Sequence, residues 1–204
     1  MQTLERPLQT AMRELSTPTS PRNNSPSSNQ KFADWLGLKT FGDPELEKLA
    51  GGAREWASAV KNNEPRRWLS ITGTSGVGKT FVATKLYNWS RSRFSEQHLG
   101  FIPHVVYWPQ FVQELRAGGA FAKRTDMISW PVLCLDDVGS ERDTTGFASE
   151  ELNTLLGCRM NRWTILTSNL SFDALQKIDG RITSRLIRGN NICVEVKTDD
   201  YATR

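Results

Sequence analysis

Residues 73–80 read Gly-Thr-Ser-Gly-Val-Gly-Lys-Thr, a complete match to the P-loop pattern G-x-x-x-x-G-K-[ST]. Each fixed position has a task toward a nucleoside triphosphate. Gly73, Gly76 and Gly78 let the backbone turn tightly and bring its N–H groups onto phosphate oxygens without a Cβ in the way. Thr74, Ser75 and Val77 complete the cradle. Lys79 sets a mobile charge on the β/γ-phosphates, and the Thr80 hydroxyl is a ligand for Mg²⁺. Ahead of the loop, Trp68-Leu69-Ser70-Ile71 is an apolar run of strand type; after it, Phe81, Val82, Leu86 and Trp89 recur at helical spacing. Strand, glycine loop and helix together predict a site for ATP or GTP, with the helix dipole aimed at the same anion.

Working outward, such a site needs an acid on a neighbouring strand for the Mg²⁺ shell and a group that orients the attacking water. Val132-Leu133-Cys134-Leu135-Asp136-Asp137 offers both where an apolar strand ends, the place at which parallel sheets put ligands. Asp136 is the expected Mg²⁺ partner and Asp137 the candidate base. A further strand, Thr164-Ile165-Leu166-Thr167, runs into Ser168-Asn169, whose amide could position the water or sense the γ-phosphate; Ser-Asn is also an ordinary turn. Arg181, Arg185 and Arg188 share one face at helical spacing. One of them is a candidate arginine finger for a neighbouring subunit; the alternatives are a solvated basic face and a contact to nucleic-acid phosphates.

Around these motifs the expected elements are helices over 44–61, after Trp108 (Phe111, Val112, Leu115), 148–161, 172–178 and 181–188, with strands at Val105–Trp108 and Ile192–Val196. Strands alternating with helices imply an α/β fold: a mostly parallel, five-stranded P-loop sheet covered on both faces. Residues 32–204 are expected to form this one domain. Residues 1–31 form a tail: thirteen of the fourteen residues 16–29 are Ser, Thr, Pro or Asn, too polar to bury a core, hence a disordered linker. Before it, Leu4, Leu8, Met12 and Leu15 make one apolar stripe, either a short docking helix or an accidental alignment. The sequence ends soon after the last expected strand, which leaves no room for a C-terminal lid.

The 204 residues are 38% apolar and 24% charged, and no stretch approaches the length of a membrane span. With no apolar signal segment at the start, the cytoplasm is the expected compartment. Cys134, Cys158 and Cys193 lack disulfide or zinc spacing and are expected to be buried; His98 and His104 have no ligand partners. The net charge of +4 permits nucleic-acid binding without demonstrating it; Arg116, Lys123 and Arg124 are possible contributors.

The ordered set GTSGVGKT, LDDVGSE, LLGCRM, TILTSNL and GRITSRL resembles the AAA+ ATPases of the DnaC/IstB group, over about residues 40–200. Thr40-Phe41 resembles the short segment leading into that core. The resemblance implies ATP and Mg²⁺ as cofactors. It makes Lys79 and Thr80 the Walker A residues, Asp136 and Asp137 Walker B, Asn169 sensor 1, and Arg185 the finger acting in trans in a homo-oligomer, with Arg181 as runner-up. Arg159 matches an arginine of the group whose role stays open. Many AAA+ proteins have Glu where Asp137 stands, so slow hydrolysis is expected. The group comprises helicase loaders and transposition ATPases. The expectations that follow are a replication ATPase that binds single-stranded DNA and a replicative DnaB-type helicase, or else a transposition ATPase partnered by a transposase. A nucleotide-gated binding module with negligible turnover is the non-enzyme alternative.

Overall fold

The computed structural model describes residues 28–38, 42–94 and 105–198. The stripe from Leu4 to Leu15, Thr40-Phe41, both histidines and residues 199–204 lie outside them.

Thirteen elements follow in chain order: α1 (Ser28–Leu36), α2 (Pro44–Lys61), β1 (Trp68–Gly73), α3 (Lys79–Phe94), β2 (Val105–Tyr107), α4 (Trp108–Arg116), α5 (Phe121–Ser129), β3 (Val132–Asp136), α6 (Phe147–Cys158), β4 (Trp163–Ser168), α7 (Phe172–Ile178), α8 (Gly180–Leu186) and β5 (Ile192–Val196). Helix α1 crosses the boundary expected at residue 32. Helix α2 starts where Asp43 accepts the N–H groups of Glu45 and Leu46, with Pro44 pre-set for the first turn and Lys61 complementing the dipole in the last.

The strands form one parallel sheet in the order β2-β3-β4-β1-β5. Strands β1, β3 and β4 are buried along their whole length, as strands covered on both faces must be. Alternate residues divide between two cores. Leu69, Ile71, Cys134, Ile165 and Val194 pack under α1, α2 and α3, where Trp56 meets Trp163 edge-on. Trp68, Leu133, Leu135 and Leu166 pack under the helices from α4 to α8. Strand β5, at the edge, alternates buried and half-buried residues.

Three expectations need correction. Trp108 is not in a strand: it opens α4, with Pro109 in the first turn, where a missing N–H costs nothing. Helix α5 was not anticipated, because Met127 is its one fully buried residue and its N-cap, Ala120, offers no side chain to the first turn. Cys158 is exposed at the end of α6, Cys193 is half-buried, and only Cys134 is a core residue.

Arg159 now has a role. It is fully buried where the strands begin. Its guanidinium donates to the carbonyls of Met127, Trp130 and Trp163 at 2.5, 3.0 and 2.7 Å and to Thr164 Oγ1 at 3.1 Å. Its own carbonyl accepts the Trp68 indole N–H at 3.2 Å. The side chain thus staples the end of α5 to the start of β4, and the carbonyl of the same residue ties in the start of β1. Burial pushes its pKa down to about 9, aided by the nearby Arg162; the group stays charged at neutral pH.

Candidate nucleotide site

Parallel strands all end on one edge of the sheet, and the P-loop spans that edge between β1 and α3. Gly73 has φ 129°, and a Cβ there would overlap the carbonyl oxygen of Val196 on β5. No other residue fits. Val77 anchors the loop by burying its side chain in the first core. Among the described residues, the backbone N–H groups from Gly76 to Thr80 have no carbonyl partner. They form a nest of donors at a helix start, the arrangement that receives phosphate oxygens.

Lys79 crosses this nest. Its Nζ donates to Gly73 O at 2.9 Å, Thr74 O at 2.6 Å and Asn169 Oδ1 at 2.8 Å. Burial pushes its pKa below the ordinary lysine value, while Asp137 and Asp136 pull it back up. A cation held by neutral acceptors next to open N–H donors is matched to an incoming anion.

Asp136 lies across the loop. Thr80 Oγ1 donates to its Oδ1 at 2.9 Å, and Thr167 Oγ1 to the same oxygen at 2.6 Å. Thr167 in turn accepts the Asp137 N–H at 2.9 Å, so one hydroxyl fixes both aspartates. A hydroxyl and a carboxylate in contact are hard oxygen ligands of the kind Mg²⁺ takes alongside phosphates and water. Among the described residues, no group of three or more His, Cys, Asp or Glu side chains could hold a metal. The residues fit a phosphate-borne Mg²⁺ held through Thr80 and Asp136.

Asp137 has φ 61°, in the left-handed region. Its Oδ1 accepts Asn169 Nδ2 at 2.5 Å and Ser140 Oγ at 2.7 Å. Asn169 therefore touches both Lys79 and Asp137, one with each end of its amide. Ser75, Gly76, Gly78, Lys79, Thr80, Asp136, Asp137 and Asn169 line one open pocket, walled on its far side by Phe81, Thr84, Lys85, Asn88 and Tyr107. Sequence reasoning missed Thr167 and Ser140, whose roles depend on the facing turn, and the wall residues, which are spread over α3 and β2.

The arginines lie elsewhere. Arg185 on α8 is half-buried, donates from Nε to Asn153 Oδ1 on α6 at 2.9 Å, and is not in the pocket lining. Arg181 is exposed and pairs with Asp179 and Glu150, both of which raise its pKa, Asp179 first. The Arg188 side chain is exposed. The proposed nucleic-acid contacts are all engaged within the protein: Arg116 with Asp143 at 3.1 Å, Lys123 with Glu114 at 3.4 Å and Arg124 with Glu151 at 2.7 Å. No helix among the described residues is long and apolar enough to cross a membrane.

No protein-family model matches the chain. The replicative helicase loader DnaI of Bacillus subtilis (strain 168) is 33% identical over 140 residues, which are 66% of this chain and 43% of that protein. The crystal structure of the DnaI superposes with a TM-score of 0.59 at 26% identity, over 72% of this chain and 84% of that one. The crystal structure of the DnaC helicase loader gives 0.58 at 21% identity, over 76% and 91%. Replication initiator DnaA bound to AMPPCP and single-stranded DNA gives 0.55 at 24% identity, over 74% and 46%. The last two are likenesses of fold alone. The chain spans less than half the length of the curated relatives it matches, 43% and 39%.

The strand order, the loop after β1 and the paired aspartates at the tip of β3 define an AAA+ P-loop core. The motifs and relatives narrow that class. The chain is an AAA+ P-loop protein similar in sequence and fold to the helicase loader DnaI.

Proposed function

We propose that this protein is an ATP-hydrolysing AAA+ protein of DNA replication, a helicase loader that assembles as a homo-oligomer in the cytoplasm and binds single-stranded DNA. The observation that carries the reading is Asn169 bridging the Lys79 ammonium and the Asp137 carboxylate, beside the Thr80–Asp136 contact. A γ-phosphate entering the nest takes Lys79 from the carbonyls of Gly73 and Thr74. Asn169 then reports that change to Asp137, which orients the attacking water and accepts its proton. Thr80 and Asp136 would hold a phosphate-borne Mg²⁺, which would supply charge neutralisation to the bound nucleotide. Arg185 lies outside its own pocket, which suits a group that stabilises transition-state charge in a neighbouring copy.

AMPPCP and single-stranded DNA occur together on the structurally similar DnaA, and the helicase-loader relatives favour a DnaB-type helicase over a transposase as the partner. ATP turnover with single-stranded DNA present, measured for the parent protein, Lys79→Ala, Asp137→Asn and Arg185→Ala, tests the reading. The expected result is turnover in the parent alone, with Arg185→Ala retaining nucleotide binding; full activity of Asp137→Asn rejects it. Pull-down of a DnaB-type helicase by the full chain, and by one lacking residues 1–30, tests the partner and the docking stripe separately.

A further inference from the structure

One acidic side chain beside the site has no role in the chemistry above. Glu141, four residues beyond Asp137, turns its carboxylate inward. Its Oε2 accepts the Gly139 N–H at 2.9 Å, and its Oε1 accepts the indole N–H of Trp108 at 3.0 Å. Trp108, the first residue of α4, is fully buried in the second core. Burial pushes the Glu141 carboxyl above its usual pKa, while hydrogen bonds from its own backbone, Trp108 and Gly139 pull it back. A half-buried carboxylate is a cost that a turn exposed to water would not incur.

The turn it closes is strained at the catalytic end. Asp137 and Gly139 have φ 61° and 87°, and a Cβ on Gly139 would stand 2.6 Å from Leu170 Cδ1. A left-handed aspartate persists only where its surroundings impose it. Thr167 holds its N–H, Asn169 and Ser140 hold its carboxylate, and Glu141 holds the far side of the turn. At the other end of α4, Arg116 donates to Arg142 O at 2.9 Å and to Asp143 Oδ1 at 3.1 Å. Helix α4 therefore grips the loop after β3 by its own first and last residues.

We infer that Glu141 is a positioning residue for Asp137: by bridging Trp108 to the turn, it sets the strained aspartate against Asn169 and makes α4 and Asp137 one mechanical unit. The inference rests on the ATPase reading of the P-loop site. It separates from a purely structural role because positioning acts on turnover and leaves nucleotide affinity alone.

Steady-state ATP turnover and nucleotide affinity of Glu141→Gln, Trp108→Phe and the double variant, with Asp137→Asn alongside, test it. The glutamine keeps the shape but presents one acceptor and one NH₂ group, so it cannot take both N–H bonds. Turnover of Glu141→Gln is expected to fall about tenfold, with affinity within about twofold of the parent. The double variant is expected to be no slower than the slower single, because both changes break one contact. The Trp108 indole N–H resonance, assigned by its loss in Trp108→Phe, is expected to shift in Glu141→Gln. Unchanged turnover in Glu141→Gln with Asp137→Asn inactive overturns the positioning role and leaves the ATPase reading standing. Multiplying losses in the double variant, or affinity falling as far as turnover, overturns it in favour of a structural role. Undiminished turnover in Asp137→Asn, or none in the parent, overturns the ATPase reading and this inference with it. Should Trp108→Phe fail to fold, the split between turnover and affinity in Glu141→Gln decides alone.

Discussion

Lys79 and Arg159 are both cations withdrawn from water, 6% and 0% exposed, at opposite ends of one sheet. Each donates to backbone carbonyls, and burial lowers the pKa of each. They differ in what surrounds them. The donors of Arg159 are matched by fixed acceptors at the end of α5 and the start of β4, and it is not in the lining of the nucleotide pocket. Lys79 borrows two loop carbonyls and an asparagine, with unpartnered N–H groups beside it and two aspartates opposite. A buried cation with every partner fixed is a fastener; one with exchangeable partners beside open donors is a binding group.

That contrast can be broken most severely at Arg159. Arg159→Ala leaves several carbonyls buried without donors and is expected to cost about 4 kcal/mol of stability, read as a large drop in the urea midpoint. Lys79→Ala is expected to do the reverse: nucleotide affinity falls about 100-fold, roughly 2.7 kcal/mol, by titration with a fluorescent nucleotide, while the urea midpoint holds. A midpoint that drops as far as for Arg159→Ala would erase the distinction. Arg159→Lys sharpens it, because an ammonium has three donors where the guanidinium has five; a loss of about 2 kcal/mol is expected with nucleotide affinity unchanged. The smallest effect belongs to Asn169→Ala, with turnover reduced about tenfold and affinity nearly kept. Loss of affinity there would make Asn169 a holder of Lys79 rather than a link to Asp137.

The two ends of the sheet also differed in how legible they were. The phosphate end is written in contiguous strings, since a loop that wraps an anion must be built from neighbouring residues, and Gly73–Thr80, Asp136-Asp137 and Asn169 all converge in the structure. The Arg159 cradle draws on the carbonyls of Met127 and Trp130, 32 and 29 residues back along the chain, at the end of α5, a helix with a single fully buried residue and no side-chain cap to announce it. Trp108 was misassigned because an apolar run of strand type continues into it; Pro109 was the overlooked sign of a helix start. The role of Glu141, like that of Arg159, is not legible in the sequence because its partner, Trp108, lies across the fold.

The contact between Gly73 and Val196 has a consequence for how the protein is made. The first glycine of the phosphate loop is walled by the end of β5, and β1 is paired with β5 along its length. A nascent chain that has emerged from the ribosome only through α7 carries every residue of the pocket lining, while the strand that walls Gly73 is still to come. The phosphate loop therefore takes its closed shape only when β5, the latest to be made of the five strands among the described residues, has paired with β1.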